Sequence, residues 1–163
     1  MKKKYKGIDL FCGIGGFRLA MNSSQVECVF SSDNDKFAQQ TYEANFHEVP
    51  TGDIKAVDEK DIPKFDILTA GFPCQPFSYA GEKQGFNDEV RGTLFFDVCR
   101  ILEYHKPPMV FLENVKGLKS HDKGKTLQTV LDTLKKLGYY PHWTILSSLD
   151  YGCLLYTSDA ADE

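Results

Sequence analysis

Short apolar runs alternate with amphipathic segments along this chain, and this alternation restricts its possible folds more than any other feature. Each apolar run ends near Gly, Asp, Asn or Ser, as strands buried on both faces of a parallel sheet do. The amphipathic segments carry apolar residues three and four positions apart, which is helical spacing. The predicted strands are residues 5–11, 26–32, 65–71 and 108–115; the predicted helices are residues 15–22, 34–46, 92–105 and 125–138.

This order predicts an α/β fold, with a parallel sheet and helices on both of its faces. In such folds, ligands bind at the carboxyl ends of the strands. A chain of 163 residues with 42% hydrophobic residues is long enough to bury a core, and its length predicts one domain or part of one.

The composition also bears on location and partners. The cysteines are odd in number, widely spread and without any Cys-x-x-Cys pair, so neither a disulfide framework nor a metal site is expected. No apolar run approaches the ~20 residues that span a bilayer, which favours a cytoplasmic protein without a membrane partner. The net charge of −4 argues mildly against nucleic-acid binding, which needs clustered Lys and Arg.

A glycine-rich turn follows the first predicted strand, where glycines allow a close approach to a ligand at the helix N-terminus. The glycines are Gly13, Gly15 and Gly16. Asp33 comes twenty residues after Gly13 and is placed to bind a ribose, and Asp53 is placed to meet an adenine amino group. The dinucleotide fingerprint requires a third glycine where this chain has Arg18, so a nucleotide-like cofactor other than NAD is favoured.

A cysteine in a proline-rich loop is the candidate nucleophile. Cys74 follows the third predicted strand and lies between Pro73 and Pro76, whose fixed φ angles hold the loop in a defined conformation. Glu113 ends the next strand, so a thiol and an acid are expected around one pocket. Cys28 and Cys99 lie inside predicted elements and are expected to be structural.

Four motifs, in this order and spacing, resemble the DNA cytosine C5-methyltransferases, the bacterial modification enzymes in particular. They are residues 9–17 (DLFCGIGGF), 71–78 (GFPCQPFS), 91–98 (RGTLFFDV) and 111–117 (FLENVKG). The resemblance runs from about Ile8 to Gly152. It implies a Rossmann-like methyltransferase fold, S-adenosylmethionine as the methyl donor, and duplex DNA as the substrate of a restriction-modification system.

The resemblance also implies roles for individual residues. Cys74 matches the nucleophile and Glu113 the acid that holds the base, while Gln75 and Ser78 belong to the loop 75–87 that closes over it. Asp33 stands where the family usually has Glu. The positions that match S-adenosylmethionine contacts are Phe11, Gly13, Ile14, Gly16, Asp33, Asp53, Ile54, Pro73 and Leu94.

The family pattern stops after Gly152, before its later strands and its target-recognition region. Residues 1–152 are therefore expected to be a partial catalytic domain, and a monomer is expected. Residues 153–163, Cys153 included, read like a translation of the adapter DNA used in transposon-based sequencing libraries and are expected not to be native. The DNA-facing basic surface of the family lies largely in the region that is absent here.

Three alternative functions stay open on the sequence. The same motifs occur in cytosine methyltransferases that act on transfer RNA. A non-catalytic homologue is less expected because Cys74 and Glu113 are both present. A thiol-dependent or NAD-linked enzyme on a similar sheet is the third alternative, and protection from unfolding by S-adenosylhomocysteine but not by NAD would argue against it.

Overall fold

A computed structural model describes residues 5–73 and 94–152, and its centre is a four-stranded parallel sheet. The strands are β1 (Tyr5–Leu10), β2 (Val26–Ser32), β3 (Ile67–Gly71) and β4 (Met109–Glu113). Their order in the sheet is β2-β1-β3-β4. The carboxyl ends of all four strands therefore lie at one edge, as the α/β prediction requires.

Four α-helices connect or follow these strands. They are α1 (Gly16–Asn22), α2 (Lys36–Phe46), α3 (Leu94–His105) and α4 (Lys125–Lys136). Helix α2 begins after Asp35, whose side chain accepts hydrogen bonds from the backbone N–H groups of Phe37 and Ala38. Helix α4 ends before Gly138, which has a φ of +93° and so stops the helix with a left-handed residue.

The two faces of the sheet differ in character. Ile8 pairs with Leu68, which pairs with Val110. Ile8 and Leu68 belong to the main hydrophobic core with residues of α3 and α4, and Val110 is partly buried against it. Asp9 alternates with these positions and points to the opposite face, since side chains alternate along a strand. On that face α1 packs against β1 and β2. Helices therefore cover both faces, as predicted.

One detail differs from the sequence interpretation. Phe37 fits the apolar spacing of α2, yet it is 80% exposed, whereas Tyr42 on the same helix is fully buried. The segment before Asp53 adds a single bridge to the sheet edge, between Thr51 and Ser32. Within the two described ranges, no helix has the length and apolar character needed to cross a membrane.

Candidate active site

The glycine-rich turn leaves β1 in an unusual backbone conformation. Phe11 has a φ of +56° and Gly13 a φ of +52°. The N–H of Cys12 donates to the Ser32 carbonyl, 3.0 Å away, which fixes the start of the turn against β2. A left-handed backbone conformation costs energy in a residue with a Cβ, such as Phe11, and residues of this kind concentrate at functional sites.

Asp33 connects this turn to the end of β2. One carboxylate oxygen accepts a hydrogen bond of 2.7 Å from the N–H of Gly13, and the other accepts one of 2.9 Å from the N–H of Asp35. The carboxylate has further lone pairs, so it can still accept from ribose hydroxyls. The structure thus places Asp33 beside the glycine turn, where the sequence predicted it.

An aromatic ring supports the turn from below. Phe46, the last residue of α2, lies so close to Gly15 that a Cβ there would approach its Cζ to 2.7 Å. Arg18 covers the same ring, with its guanidinium carbon 5.4 Å from the ring centroid. Its two terminal nitrogens bind Glu48 at 2.6 and 2.8 Å, and this bidentate contact raises the pKa of Arg18 further. Gly15 is therefore the residue that this packing requires.

The upper side of the turn is open. Among the described residues, and apart from adjoining backbone, no atom lies within 4 Å of a Cβ built on Gly13 or on Gly16, and the side chain of Ile14 is 63% exposed. A ligand can thus approach the backbone closely at both glycines. Together with the Asp33 carboxylate, this cradle fits a nucleoside-containing cofactor such as S-adenosylmethionine.

Asp53 caps a short 3-10 turn that begins at Ile54, shortly after Thr51, which bridges to Ser32 at the end of β2. Asp53 is exposed, and its carboxylate accepts a 3.0 Å hydrogen bond from the N–H of Lys55. Ile54 is buried, and its carbonyl accepts a 2.6 Å hydrogen bond from Arg100 of α3. The turn is therefore fixed to α3, with one oxygen of Asp53 serving as its N-cap.

Glu113 lies at the carboxyl end of β4, opposite Gly71 at the end of β3. A Cβ built on Gly71 would lie 3.3 Å from a Glu113 carboxylate oxygen and 3.9 Å from the Phe11 carbonyl. The strand order thus brings three neighbouring strand ends together. Gly71, which lies three residues before Cys74 in the chain, leaves room for the Glu113 carboxylate.

Asn114 holds the backbone that leads to Cys74. Its side-chain amide donates a 2.6 Å hydrogen bond to the Phe72 carbonyl, and its side-chain oxygen accepts one of 2.9 Å from the N–H of Val115. Phe72 is buried and its ring lies 5.3 Å from that of Phe95 on α3. Pro73 is exposed and Leu94, the first residue of α3, is half-buried.

Cys74, Gln75 and Ser78 lie outside the described residues, and their assigned roles stay predictions. The other cysteines of the two described ranges are Cys12, Cys28 and Cys99. Burial raises the pKa of all three thiols, that of Cys99 to about 12. None of the three is therefore suited to form a thiolate near neutral pH.

Asp9 is a buried acid that the sequence interpretation did not select. It is fully buried, and one carboxyl oxygen accepts a 2.8 Å hydrogen bond from Thr69 of β3. In the part of the chain that the structure describes, the other oxygen has no hydrogen-bond partner. Burial raises the pKa of Asp9 to about 7, although the Thr69 hydrogen bond acts in the opposite direction. The Asp9 carboxyl group thus lies two residues before Phe11 in the chain, and it is largely neutral below pH 7.

The roles of the residues that position the site follow from tertiary contacts rather than from the sequence. Asn114 and Gly71 belong to recognised motifs, but their roles depend on pairing between β3 and β4. Phe46 carries no sequence signal beyond its helical spacing. No group of three or more His, Cys, Asp or Glu side chains in residues 5–73 and 94–152 could hold a metal ion.

Comparisons with known proteins agree with this geometry. Residues 5–154 match the family model described as C-5 cytosine-specific DNA methylase. The chain is 57% identical over 145 residues to the type II methyltransferase M.HhaI of Haemophilus parahaemolyticus, covering 89% of this chain and 44% of that protein. It is 55% identical over 156 residues to the type II methyltransferase M.HpaII of Haemophilus parainfluenzae, covering 93% and 43%.

A solved structure supports the fold. The crystal structure of a Spodoptera frugiperda DNMT2 mutant superposes with a TM-score of 0.62 at 27% identity, covering 82% of this chain and 41% of that one. The chain thus spans less than half the length of the relatives it matches.

Proposed function

We propose that this chain, which belongs to the family of C-5 cytosine-specific DNA methylases, is part of an enzyme that methylates C5 of cytosine in DNA. The methyl donor is S-adenosylmethionine, and the setting is a restriction-modification system. The type II methyltransferases that it resembles support this setting.

One observation carries the proposal: the Glu113 carboxylate lies against Gly71, three residues before Cys74. Asn114, next to Glu113, binds the Phe72 carbonyl and so ties the start of the cysteine loop to β4. An acid at this strand end and a nucleophile three residues after Gly71 can act on one ring of a base that has been flipped out of the duplex.

The residue types explain the chemistry. The Cys74 thiolate adds to C6 of cytosine, forming a C–S bond and raising the electron density at C5. Glu113 hydrogen-bonds N3 and the exocyclic amine, which favours N3 protonation as the thiolate adds. S-adenosylmethionine, when bound, supplies the methyl group that C5 accepts. Loss of the C5 proton and cleavage of the C–S bond then release the product and the thiolate.

The glycine cradle is the proposed cofactor site. Asp33 binds the ribose hydroxyls with the lone pairs that Gly13 and Asp35 leave free. Asp53 and Ile54 contact the adenine, while the open backbone of Gly16 admits the methionine portion. Phe11, Ile14, Pro73 and Leu94 complete the walls of this site.

We also propose that residues 1–152 are part of a longer enzyme and that residues 153–163 are foreign to it. The share of the relatives that the chain covers, 44% and 43% in the two proteins above, supports the longer enzyme, and the resemblance of residues 153–163 to translated adapter DNA supports the foreign tail. The full-length enzyme is obtained by extending the reading frame past residue 152 in the source DNA. The experiments that follow use this full-length enzyme.

The test of the function uses duplex DNA of mixed sequence that contains 5-fluorocytosine, because fluorine at C5 blocks the release of the enzyme. The unchanged enzyme should form a covalent complex that survives denaturing electrophoresis, and Cys74→Ser should form none. Cys28→Ser is the matched control, since the Cys28 thiol lies within β2 and hydrogen-bonds the Phe30 carbonyl. A trapped adduct in Cys74→Ser would overturn the assignment, and methyl transfer into transfer RNA alone would favour the RNA alternative.

A further inference from the structure

A short basic segment follows Glu113 on the chain. Residues 116–125, called the basic turn below, contain four lysines and one aspartate, a net charge of +3 in a chain whose net charge is −4. The lysines are Lys116, Lys119, Lys123 and Lys125, and all four are exposed. Positive charge is therefore concentrated here, against the overall balance of the chain.

These lysines differ from the two arginines of residues 5–73 and 94–152, which are both paired with acids. Arg18 pairs with Glu48, and Arg100 pairs with Asp97 and Glu59. Within residues 5–73 and 94–152, no ion pair joins a lysine of the basic turn to an acid. Lys119 instead lies over the ring of Trp143, 5.7 Å from its centroid. Within the described ranges, their charge is thus not neutralised by an ion pair.

The basic turn is fixed to the fold rather than loose. Leu118 is buried beneath it. A ring nitrogen of His121 is 2.7 Å from the hydroxyl of Thr126, which is buried in the first turn of α4. Asp122 and Lys123 both have positive φ, at 46° and 55°. Because consecutive left-handed residues cost energy, the surrounding contacts must hold this conformation.

The position of the basic turn relates it to the proposed active site. It begins at Lys116, three residues after Glu113, at the carboxyl edge of the sheet. A flipped cytosine that reaches Glu113 brings its own phosphates and those of its neighbours to this edge. Exposed ammonium groups without acidic partners complement phosphates in charge.

We propose that the basic turn is a docking surface for the phosphate backbone of duplex DNA, in contact with the strand that carries the target cytosine. This inference rests on the proposed function. The net charge of the chain argues mildly against a nucleic-acid partner, but the local charge of the basic turn favours one. The contact is to the backbone, so it contributes to affinity at every sequence and not to sequence choice.

The test measures the salt dependence of binding to mixed-sequence duplex DNA. The quadruple variant replaces Lys116, Lys119, Lys123 and Lys125 with Gln. Each lost phosphate contact should reduce the slope of log K against log salt by about 0.9, so the slope should fall by about 2 to 4. At about 0.1 M salt the affinity should fall at least about tenfold.

The matched control is the double variant Lys60→Gln and Lys64→Gln. Both residues are exposed and precede β3, so they lie towards the opposite edge of the sheet. A quadruple variant with the slope of this control would overturn the inference and leave the proposed function standing. An unchanged enzyme with no salt-dependent binding to DNA would overturn both.

A second measurement needs no variant. Amine acetylation of the unchanged enzyme, read by mass spectrometry with and without duplex DNA, should show protection in the basic turn and none at Lys60 and Lys64. Equal reactivity of the basic turn with and without bound DNA would overturn the inference, even if the quadruple variant did not fold.

Discussion

Gly15→Ala should destabilise the enzyme far more than the same change at the adjacent Gly16. Gly15 has a φ of +98°, and an alanine in this region costs about 1 to 2 kcal/mol. The new Cβ would also overlap the Phe46 ring. That ring cannot move freely, because the Tyr42 ring lies 4.7 Å away and Arg18 covers it. Overpacking of this kind adds about 1 to 3 kcal/mol, which gives a total of about 3 kcal/mol.

Gly16→Ala is the matched control. Gly16 is the first residue of α1, and a Cβ built there meets no atom within 4 Å. Alanine in a helix is more stable than glycine by about 0.5 to 1 kcal/mol, so the free energy of unfolding should stay the same or rise slightly. Any effect of Gly16→Ala on S-adenosylhomocysteine binding would instead reflect the open cradle above it.

The assay is thermal unfolding of the full-length enzyme, followed by fluorescence. Gly15→Ala should lower the midpoint by several degrees, and Gly16→Ala should leave it unchanged or raise it. Gly15→Ala should lower the midpoint less in a Phe46→Ala background than in the unchanged enzyme, because the overlap between the new Cβ and the ring is removed. Equal midpoints for Gly15→Ala and Gly16→Ala would refute the reasoning from both the backbone angle and the ring.

Asn114→Ala removes the hydrogen bond to the Phe72 carbonyl and should lower kcat about fivefold, since a hydrogen bond contributes about 1 kcal/mol and this one supports the start of the cysteine loop. The Kd for S-adenosylhomocysteine should be kept, and a change in Kd alone would contradict this. Because the folded pKa of Asp9 is raised from 3.8 to about 7, the stability from its neutral form is fully present below pH 3.8 and is lost as the pH rises towards 7. Urea unfolding should therefore show that the unchanged enzyme loses free energy of unfolding on the order of 2 kcal/mol between pH 5 and pH 7 and that Asp9→Asn does not. Parallel pH profiles of stability for the two proteins would contradict the raised pKa of Asp9.

The sequence was a good guide wherever local chemistry sets the structure. The apolar runs predicted all four strands to within a few residues at each end. Asp35 caps α2 and Gly138 follows α4 in a left-handed conformation, since caps depend on one or two residues. Phe37 shows the limit of such patterns, because helical spacing identifies an amphipathic face but not how much of it another element covers.

The sequence by itself determined the fold class, the family and the residue types of the site, because the alternation of strands with helices and the short motifs both depend on residues close together in the chain. Only the tertiary structure decided which of those residues meet. Gly71 and Glu113 are 42 positions apart in number, and they lie together because β3 pairs with β4 in one register. Asp9 became a buried acid for the same reason, since the environment of a side chain in a sheet is set by distant strands and not by its neighbours in the chain.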